Sequence, residues 1–222
     1  MRTPLTSIKA YIEGLIDGVA ATPQLRMKYM KTIKEKADDI DRITDKLFLF
    51  SKLDLGDYPF YPETINVKNE ICNIADDTKY SESNVNINIK QNDEIVEIYA
   101  DPVQFRNAVT NILENSLKYK DKDVVNINIG YENTEKYVRI IIDDDGPGVP
   151  EAALEKLFNV FYRSDPSRNN PNKGSGLGLA ITAKILEHFG GNIYAENIKP
   201  KGLRVVMEFP KEGVESGKSS DN

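Results

Sequence analysis

The spacing of apolar residues changes once along this chain, and the change divides it into two parts. In the first part, apolar residues recur at alternating steps of three and four, which is the spacing along one face of an α-helix. In the second part, short segments alternate between apolar and polar residues, which is typical of half-buried β-strands. Gly56, Pro59 and Pro62 separate the two patterns, since glycine and proline end helices. The expected domains are a helical part at 1–55, a linker at 56–66 and a mixed domain at 67–210.

The helical part carries two apolar stripes with Pro23 between them. The stripes consist of Leu5, Ile8, Ile12, Leu15 and Val19, and of Met30, Ile33, Ala37, Ile40, Thr44 and Leu47. Two long helices joined by a short connection form an antiparallel hairpin. One partner helix cannot cover a stripe of this length, so a second copy of the hairpin is expected to complete a four-helix bundle. The sequence therefore predicts a homodimer.

Strand and helix patterns do not alternate strictly in the mixed domain. Strands are predicted at 85–89, 95–100, 124–130, 137–143 and 203–209, and helices at 67–79, 103–119 and 177–189. This order favours a mainly antiparallel sheet with helices on one face, so the chain as a whole is expected to be α+β. The segment 211–222 is polar and contains glycine and serine, which predicts a disordered tail.

The composition of the chain excludes several classes of protein. A net charge of −6 argues against a general affinity for nucleic acid. No run approaches the roughly 20 apolar residues that span a bilayer, and the first residues lack the pattern of a signal peptide. The single cysteine, Cys72, excludes an internal disulfide, and no Cys/His cluster has the spacing of a zinc site. These observations favour a cytoplasmic setting for this portion of the protein.

Five residues of the predicted helix 103–119 fall on one face of it. They are Asn111, Glu114, Asn115, Lys118 and Tyr119. A solvated surface is the ordinary interpretation of such a face. Two asparagines are unusual there, however, because asparagine is a poor helix former. Paired amides beside a lysine and an aromatic ring suit a hydrated magnesium ion, a phosphate and a flat base, so both interpretations stay open on this segment alone.

Two glycine clusters stand about thirty residues apart. They are Asp144, Gly146 and Gly148, after a predicted strand, and Gly174, Gly176 and Gly178, before a predicted helix. Glycine allows backbone to turn tightly or to approach a ligand, and the start of a helix holds phosphate with its free N–H groups. Asp144 could accept a hydrogen bond from a planar donor such as the adenine amine. The alternative for the first cluster is an acidic surface turn.

Five segments in this order closely resemble the successive boxes of bacterial sensor histidine kinases of two-component systems. They are "MRTPLTSI", "NILENSLKY", "DDDGPGV", "LFNVFYR" and "GSGLGLAI". The resemblance implies a dimeric hairpin with a phospho-acceptor histidine, followed by an ATP-binding α/β sandwich of the type found in gyrase. It implies transfer of the γ-phosphate of ATP to a histidine, for relay to an aspartate in the receiver domain of a response regulator. It also implies membrane segments ahead of these residues, in a full-length protein of the bacterial plasma membrane.

The same resemblance assigns roles to the asparagine-rich face. Asn115 and Asn111 would coordinate magnesium. Lys118 would contact a phosphate, and Tyr119 would lie against the adenine. Glu114 is a candidate catalytic residue beside Asn111.

Roles are likewise implied for the two glycine clusters and the segment between them. Asp144 would accept a hydrogen bond from the adenine amine, in a pocket shaped by Gly146 and Gly148. The segment 158–173 would form a lid over ATP. Further nucleotide contacts are implied for Tyr162, Arg163, Arg168, Gly174, Ser175, Gly176, Leu177, Gly178 and Leu179.

Several features depart from the pattern of this family. The last glycine box is reduced to Gly202, and the only histidine, His188, stands at a predicted helix end, where a helix-dipole role is expected. The acceptor histidine of the family stands three residues before the arginine that Arg2 matches, ahead of Met1. The chain as given is therefore expected not to phosphorylate itself. Thr3 resembles the residue that positions water for dephosphorylation of the response regulator, and an N-cap is its alternative role.

Two other classes of function remain alternatives. A gyrase-class ATPase hydrolyses ATP, and that class has a glutamate as general base at the position of Asn111. Because an amide cannot take up a proton, Asn111 favours transfer of phosphate to histidine. A non-catalytic dimer module that binds ATP without turnover is the other alternative, since the acceptor is absent from the residues given.

Overall fold

The structure of the protein is a computed structural model that describes residues 2–90, 94–163 and 174–211, and only the backbone of residues 2 and 3. Most of the predicted lid and the predicted tail beyond Lys211 lie outside these ranges. No helix in the described ranges is both long and apolar enough to cross a bilayer.

The chain begins with a helical hairpin of α1 (Arg2–Ile16) and α2 (Pro23–Asp54). Pro23 takes the first helical position, where its missing N–H is no loss, and the Thr22 hydroxyl accepts from the Leu25 amide at 3.2 Å. The rings of Tyr11 and Tyr29 pack edge to face across the hairpin, with centroids 5.0 Å apart. The hairpin expected from the two stripes is confirmed.

Much of the apolar surface of the hairpin is left exposed by the described residues of one chain. The large apolar side chains that are 40–77% exposed on α1, α2 and their connection are Leu5, Ile12, Ile16, Val19, Met27, Met30 and Phe48. An apolar surface of this extent is typical of a protein interface.

In the mixed domain, the described residues form eleven further elements. They are β1 (Glu63–Asn66), α3 (Val67–Ser81), β2 (Val85–Ile89), β3 (Glu97–Ala100), α4 (Pro102–Lys118), β4 (Val125–Asn133), β5 (Tyr137–Asp144), α5 (Glu151–Leu154), α6 (Gly178–His188), β6 (Asn192–Asn197) and β7 (Leu203–Pro210).

Five of the strands form one sheet in the order β2-β4-β5-β7-β6. Only β2 and β4 run parallel, and the other neighbours are antiparallel. On β4 and β5 alternate side chains are fully buried, among them Ile127, Ile129, Ile140 and Ile142, and α3, α4 and α6 pack against the sheet. The expected α+β class, with a mainly antiparallel sheet, is confirmed.

Two strands were not expected from the sequence. β1 lies within the predicted linker and pairs with β3 in a separate two-stranded sheet, and only its Ile65 is buried. β6 lies at the edge of the main sheet, where Ile193 and Ala195 are only partly buried. Both strands are short and bury few residues, so neither produces a strong alternation. The strand predicted at 95–100 begins at Glu97.

The end of α2 and the segment after it pack on the mixed domain. Leu53 belongs to the common core, and the ammonium of Lys184 on α6 lies 3.0 Å from a carboxylate oxygen of Asp54. The ring of Phe60 stacks on His188 with a centroid separation of 3.8 Å. These contacts hold the end of the hairpin beside α6.

Candidate nucleotide-binding site

A cavity of about 1370 Å³ lies between α2, α4, the loop after β5 and the start of α6. The predicted catalytic and nucleotide-binding residues that line it are Asn111, Glu114, Asn115, Lys118, Tyr119, Asp144, Gly146, Gly148, Tyr162, Arg163, Gly174, Ser175, Gly176, Gly178 and Leu179. A smaller hollow of about 750 Å³ is lined by residues of α2 alone, between Pro23 and Glu35, so it encloses nothing. The large cavity is therefore the candidate site.

The wall formed by α4 follows from how this helix begins and packs. The Asp101 carboxylate accepts from the Gln104 amide at 3.0 Å and caps the first turn. Phe105, Val109 and Leu113 are fully buried against the sheet, which turns the asparagine-rich face toward the cavity. Asn111 is itself only 7% exposed, so its amide has a fixed position.

Asp144 stands at the end of β5, and each of its carboxylate oxygens has a donor. Oδ1 accepts from the backbone N–H groups of Gly146 at 2.9 Å and Leu203 at 3.2 Å. Oδ2 accepts from the Ser116 hydroxyl at 2.9 Å. These three donors fix the plane of the carboxylate at the cavity wall. Neither Ser116 nor Leu203 was predicted, because their proximity to Asp144 depends on the tertiary fold.

The first glycine loop is held by Asn197 of β6. Its Oδ1 accepts from the Val149 amide at 2.9 Å, and its Nδ2 donates to the Val149 carbonyl at 2.7 Å. Gly148 has φ +71°, and a Cβ there would stand 2.6 Å from Asn197 Oδ1. Position 148 therefore requires glycine both for its backbone and for the space beside it. Asn197 was also missed in the sequence, since no local pattern marks it.

The second glycine cluster joins the segment after α5 to the start of α6. The Phe161 amide donates to the Gly176 carbonyl at 3.0 Å, and a Cβ on Gly176 would stand 2.9 Å from the Phe161 backbone. Gly178 is the first residue of α6, and a Cβ there would stand 3.2 Å from Asn111 Oδ1. The start of α6 thus lies directly beside α4, with free N–H groups of its first turn at the cavity.

Leu177 differs from the other residues of this cluster. Its side chain is fully buried in the core, so only its backbone could meet a ligand. The side chain of Thr3 and all of Arg168 lie outside the described residues. His188 is placed at the far end of α6, against Phe60.

Cations gather on one side of the cavity. Burial lowers the pKa of Lys118, and the neighbouring charges of Lys46 and Arg163 lower it further, while Glu114 opposes them. The cost of holding these positive charges together would be relieved by an anion between them. The Lys118 ammonium lies against Gly174, where a side chain would displace it.

Lys46 reaches this site from α2 and was not predicted. Its ammonium donates to Asn111 Oδ1 at 3.2 Å and to Glu114 Oε2 at 3.1 Å. The contact joins the hairpin to the asparagine-rich face across 65 and 68 residues of sequence.

A magnesium ion would depend on the amide oxygens of this face. Within the described ranges no group of three or more His, Cys, Asp or Glu side chains could hold a metal. Magnesium commonly takes only one or two protein ligands and completes its shell with water and phosphate oxygens. The oxygen of Asn111 already accepts from a cation, the Lys46 ammonium, so its direction suits a positive charge. The residues present therefore fit a metal bound together with a triphosphate.

Comparison with known proteins agrees with this arrangement. Residues 100–213 match the family described as histidine kinase-, DNA gyrase B-, and HSP90-like ATPase, and residues 1–56 match the His Kinase A (phospho-acceptor) domain. The chain is 31% identical to the sensor histidine kinase WalK of Bacillus subtilis over 214 residues, which are 95% of this chain and 35% of that protein. It is 30% identical to the sensor protein kinase WalK of Staphylococcus epidermidis over 225 residues, covering 98% of this chain and 36% of that protein.

Solved structures share the fold. The histidine kinase ThkA in complex with the response regulator TrrA superposes with a TM-score of 0.75 at 21% identity, over 95% of this chain and 58% of that one. Acinetobacter baumannii histidine kinase AdeS gives 0.71 at 17% identity, over 94% and 95% of the two chains. Fold and site together define an ATPase-type nucleotide-binding domain that follows a phospho-acceptor hairpin. The chain belongs to the sensor histidine kinases of two-component systems, and it spans about a third of the length of the curated relatives it matches.

Proposed function

We propose that these residues form the kinase core of a sensor histidine kinase, which transfers the γ-phosphate of Mg-ATP to a histidine for relay to an aspartate of a response regulator. The observation that carries the proposal is the single cavity in which Asp144, the cations of Lys118 and Arg163 and the start of α6 come together. The names of the relatives, and the complex of ThkA with TrrA, support the reaction and the class of partner.

The adenine end of the site is the Asp144 carboxylate. An exocyclic amine donates to this carboxylate, and the amides of Gly146 and Leu203 keep it in one orientation. The ring of Tyr119, at the end of α4, provides a flat surface in the same cavity. A donor bound to a charged acceptor contributes more than a neutral pair, so this contact selects adenine.

The phosphate end lies at the start of α6. Free N–H groups of the first turn, with Lys118 and Arg163, neutralise the charge of the triphosphate. Asn115 and Asn111 would hold the magnesium ion, which offsets charge on the transferred phosphoryl group. Asn111 cannot serve as a general base, so water at this place is not activated. Glu114 is the carboxylate on the asparagine-rich face of α4 and is paired with Lys46.

The acceptor assignment gives a labelling experiment that tests the function. With Mg-ATP the 222-residue chain should bind nucleotide and acquire no phosphohistidine. Its one histidine, His188, lies at the far end of α6, about 16 Å from the start of that helix, and its ring is stacked on Phe60. Burial also lowers the pKa of His188, so the neutral ring is favoured there.

The chain for comparison in this experiment is extended at its N-terminus, so that a histidine stands three residues before Arg2. This chain should gain acid-labile, alkali-stable label from ATP, and the same extension with alanine at that position should gain none. Acid-labile label on His188 of the 222-residue chain would contradict the acceptor assignment. Release of the labelled γ-phosphate only as free phosphate, with none on the protein, would favour the gyrase-class alternative.

We also propose that the hairpin forms a homodimer through its exposed apolar surface. Ile12→Glu with Met30→Glu places charges on side chains that are 40% and 49% exposed in one chain, so the fold of the chain should survive while the bundle loses its apolar contact. Light scattering at micromolar concentration should find a dimer before and a monomer after the change. Lys9→Glu with Lys34→Glu, at exposed polar positions of the same helices, should remain dimeric. An unmodified chain that is monomeric would exclude this interface.

The whole protein is proposed to be anchored in the bacterial plasma membrane by segments other than those described. The sensor kinases that the chain matches are about three times as long as the matched part, which leaves room for such segments.

A further inference from the structure

Lys46 is the point at which the hairpin enters the nucleotide site. Its side chain leaves α2, is 35% exposed and ends on two oxygens of α4, those of Asn111 and Glu114. The Glu114 side chain is 58% exposed and could turn to solvent, whereas Asn111 is buried and fixed. The ammonium therefore depends on Asn111 Oδ1 for its position.

The same amide oxygen borders the place proposed for the metal and the phosphates. Gly178, the first residue of α6, lies against Asn111, since a Cβ there would approach Oδ1 to 3.2 Å. A cation at Oδ1 is thus next to the free N–H groups that are proposed to hold phosphate. An ammonium and a divalent ion on one oxygen would repel each other strongly, because they would be a few ångströms apart in a partly enclosed cavity.

We propose that Lys46 and the magnesium–triphosphate unit compete for Asn111, so that nucleotide binding detaches the lysine of α2 from α4. By linkage, the hairpin contact must weaken nucleotide binding by the same factor as nucleotide weakens the contact. The inference rests on the proposed function, which assigns Asn111 to the metal. Its consequence is a direct coupling between the loaded state of the ATP domain and its attachment to the acceptor hairpin.

Calorimetry with a non-hydrolysable ATP analogue tests the competition. In the presence of Mg²⁺, Lys46→Met should bind the analogue more tightly than the unmodified chain, because the competing contact to Asn111 is lost. The gain should be only about two- to fivefold, because a partly exposed ion pair contributes little. In EDTA, without the metal, this gain should disappear. Lys46→Arg keeps the charge and should bind as the unmodified chain does. Lys34→Met, the same change at an exposed position of α2, should have no effect.

Lysine acetylation read by mass spectrometry gives a second readout. Addition of Mg²⁺ and the analogue should raise the acetylation rate of Lys46 and leave that of Lys34 unchanged. Slower acetylation of Lys46, with weaker binding by Lys46→Met, would identify it as a phosphate contact and overturn the proposal. Equal affinity of Lys46→Met and the unmodified chain would overturn it as well. If the unmodified chain binds no nucleotide at all, the proposed function itself fails.

Discussion

Asp144→Asn should weaken binding of Mg-ATP about a hundredfold. The hydrogen bonds around the carboxylate determine which atom becomes the amide nitrogen. A nitrogen at Oδ1 would face two backbone donors, those of Gly146 and Leu203, so the amide oxygen stays there. The nitrogen then replaces Oδ2, where the hydroxyl of Ser116 can turn to accept from it. The variant is therefore expected to fold while it presents a donor to the adenine amine, which is also a donor.

The size of the effect follows from the loss of a charge-assisted hydrogen bond and the mispaired donor that replaces it. Together they should cost about 2–3 kcal/mol, which corresponds to roughly a hundredfold in the dissociation constant. Calorimetry with a non-hydrolysable ATP analogue measures this directly.

Asp145→Asn is the matched control for this variant. Its carboxylate is one residue further along, pairs with Lys122 and accepts from the Asn126 amide at 2.9 Å. Because the Asp145 side chain turns to the start of β4 and does not line the cavity, its replacement should leave nucleotide affinity unchanged. Unreduced affinity in Asp144→Asn would remove Asp144 from the site.

Gly202→Ala should destabilise the mixed domain by about 2–4 kcal/mol. Gly202 has φ +136°, a conformation that side chains rarely allow, and a Cβ there would overlap the carbonyl oxygen of Asp144. The same Cβ would stand 2.9 Å from the side chain of Ile198. The end of β5 and the turn before β7 are joined by the hydrogen bond from the Leu203 amide to the Asp144 carboxylate. Neither can move away from the new Cβ without breaking this bond, so relief of the overlap is costly. The melting temperature followed by circular dichroism should fall by about 6–12 °C.

Gly56→Ala separates the contribution of backbone strain from that of the overlap with Asp144. Gly56 also has a positive φ, +74°, but open space surrounds the position of its Cβ. This variant should cost about 1 kcal/mol, from backbone strain alone. If both variants melt at the same temperature, the overlap with Asp144 does not matter and the role given to Gly202 is wrong.

The parts of this molecule that could be predicted are those whose cause is local. Apolar stripes at a helical spacing predict α1 and α2, and the face of α4 follows from the 3.6-residue period. The glycine clusters were recognisable because backbone conformation demands a particular residue type. Gly202 shows the limit of local prediction. The sequence marks it as the remainder of the last glycine box, and only the tertiary fold places it against Asp144.

The rest depends on pairs of residues that are distant in sequence. Asn197 and Val149 are 48 residues apart, and Lys46 and Asn111 are 65 apart. Serine, asparagine and lysine are ordinary surface residues when taken singly, and their function arises from what the fold brings near them. The roles of the individual residues within the cavity remain predictions, which the substitutions above test.

The bond between Phe161 and Gly176 has a consequence for variation in chain length. It closes a ring of backbone, so the entropy of closing that ring depends on the number of residues between the two anchors, Phe161 and Gly176. That entropy rises only with the logarithm of length, so doubling the number of residues between the two anchors should cost about 0.6 kcal/mol. As far as ring closure is concerned, a change in the number of residues between the two anchors should therefore cost less than a single methyl group on Gly176, where the backbone of Phe161 stands 2.9 Å from the position of the Cβ.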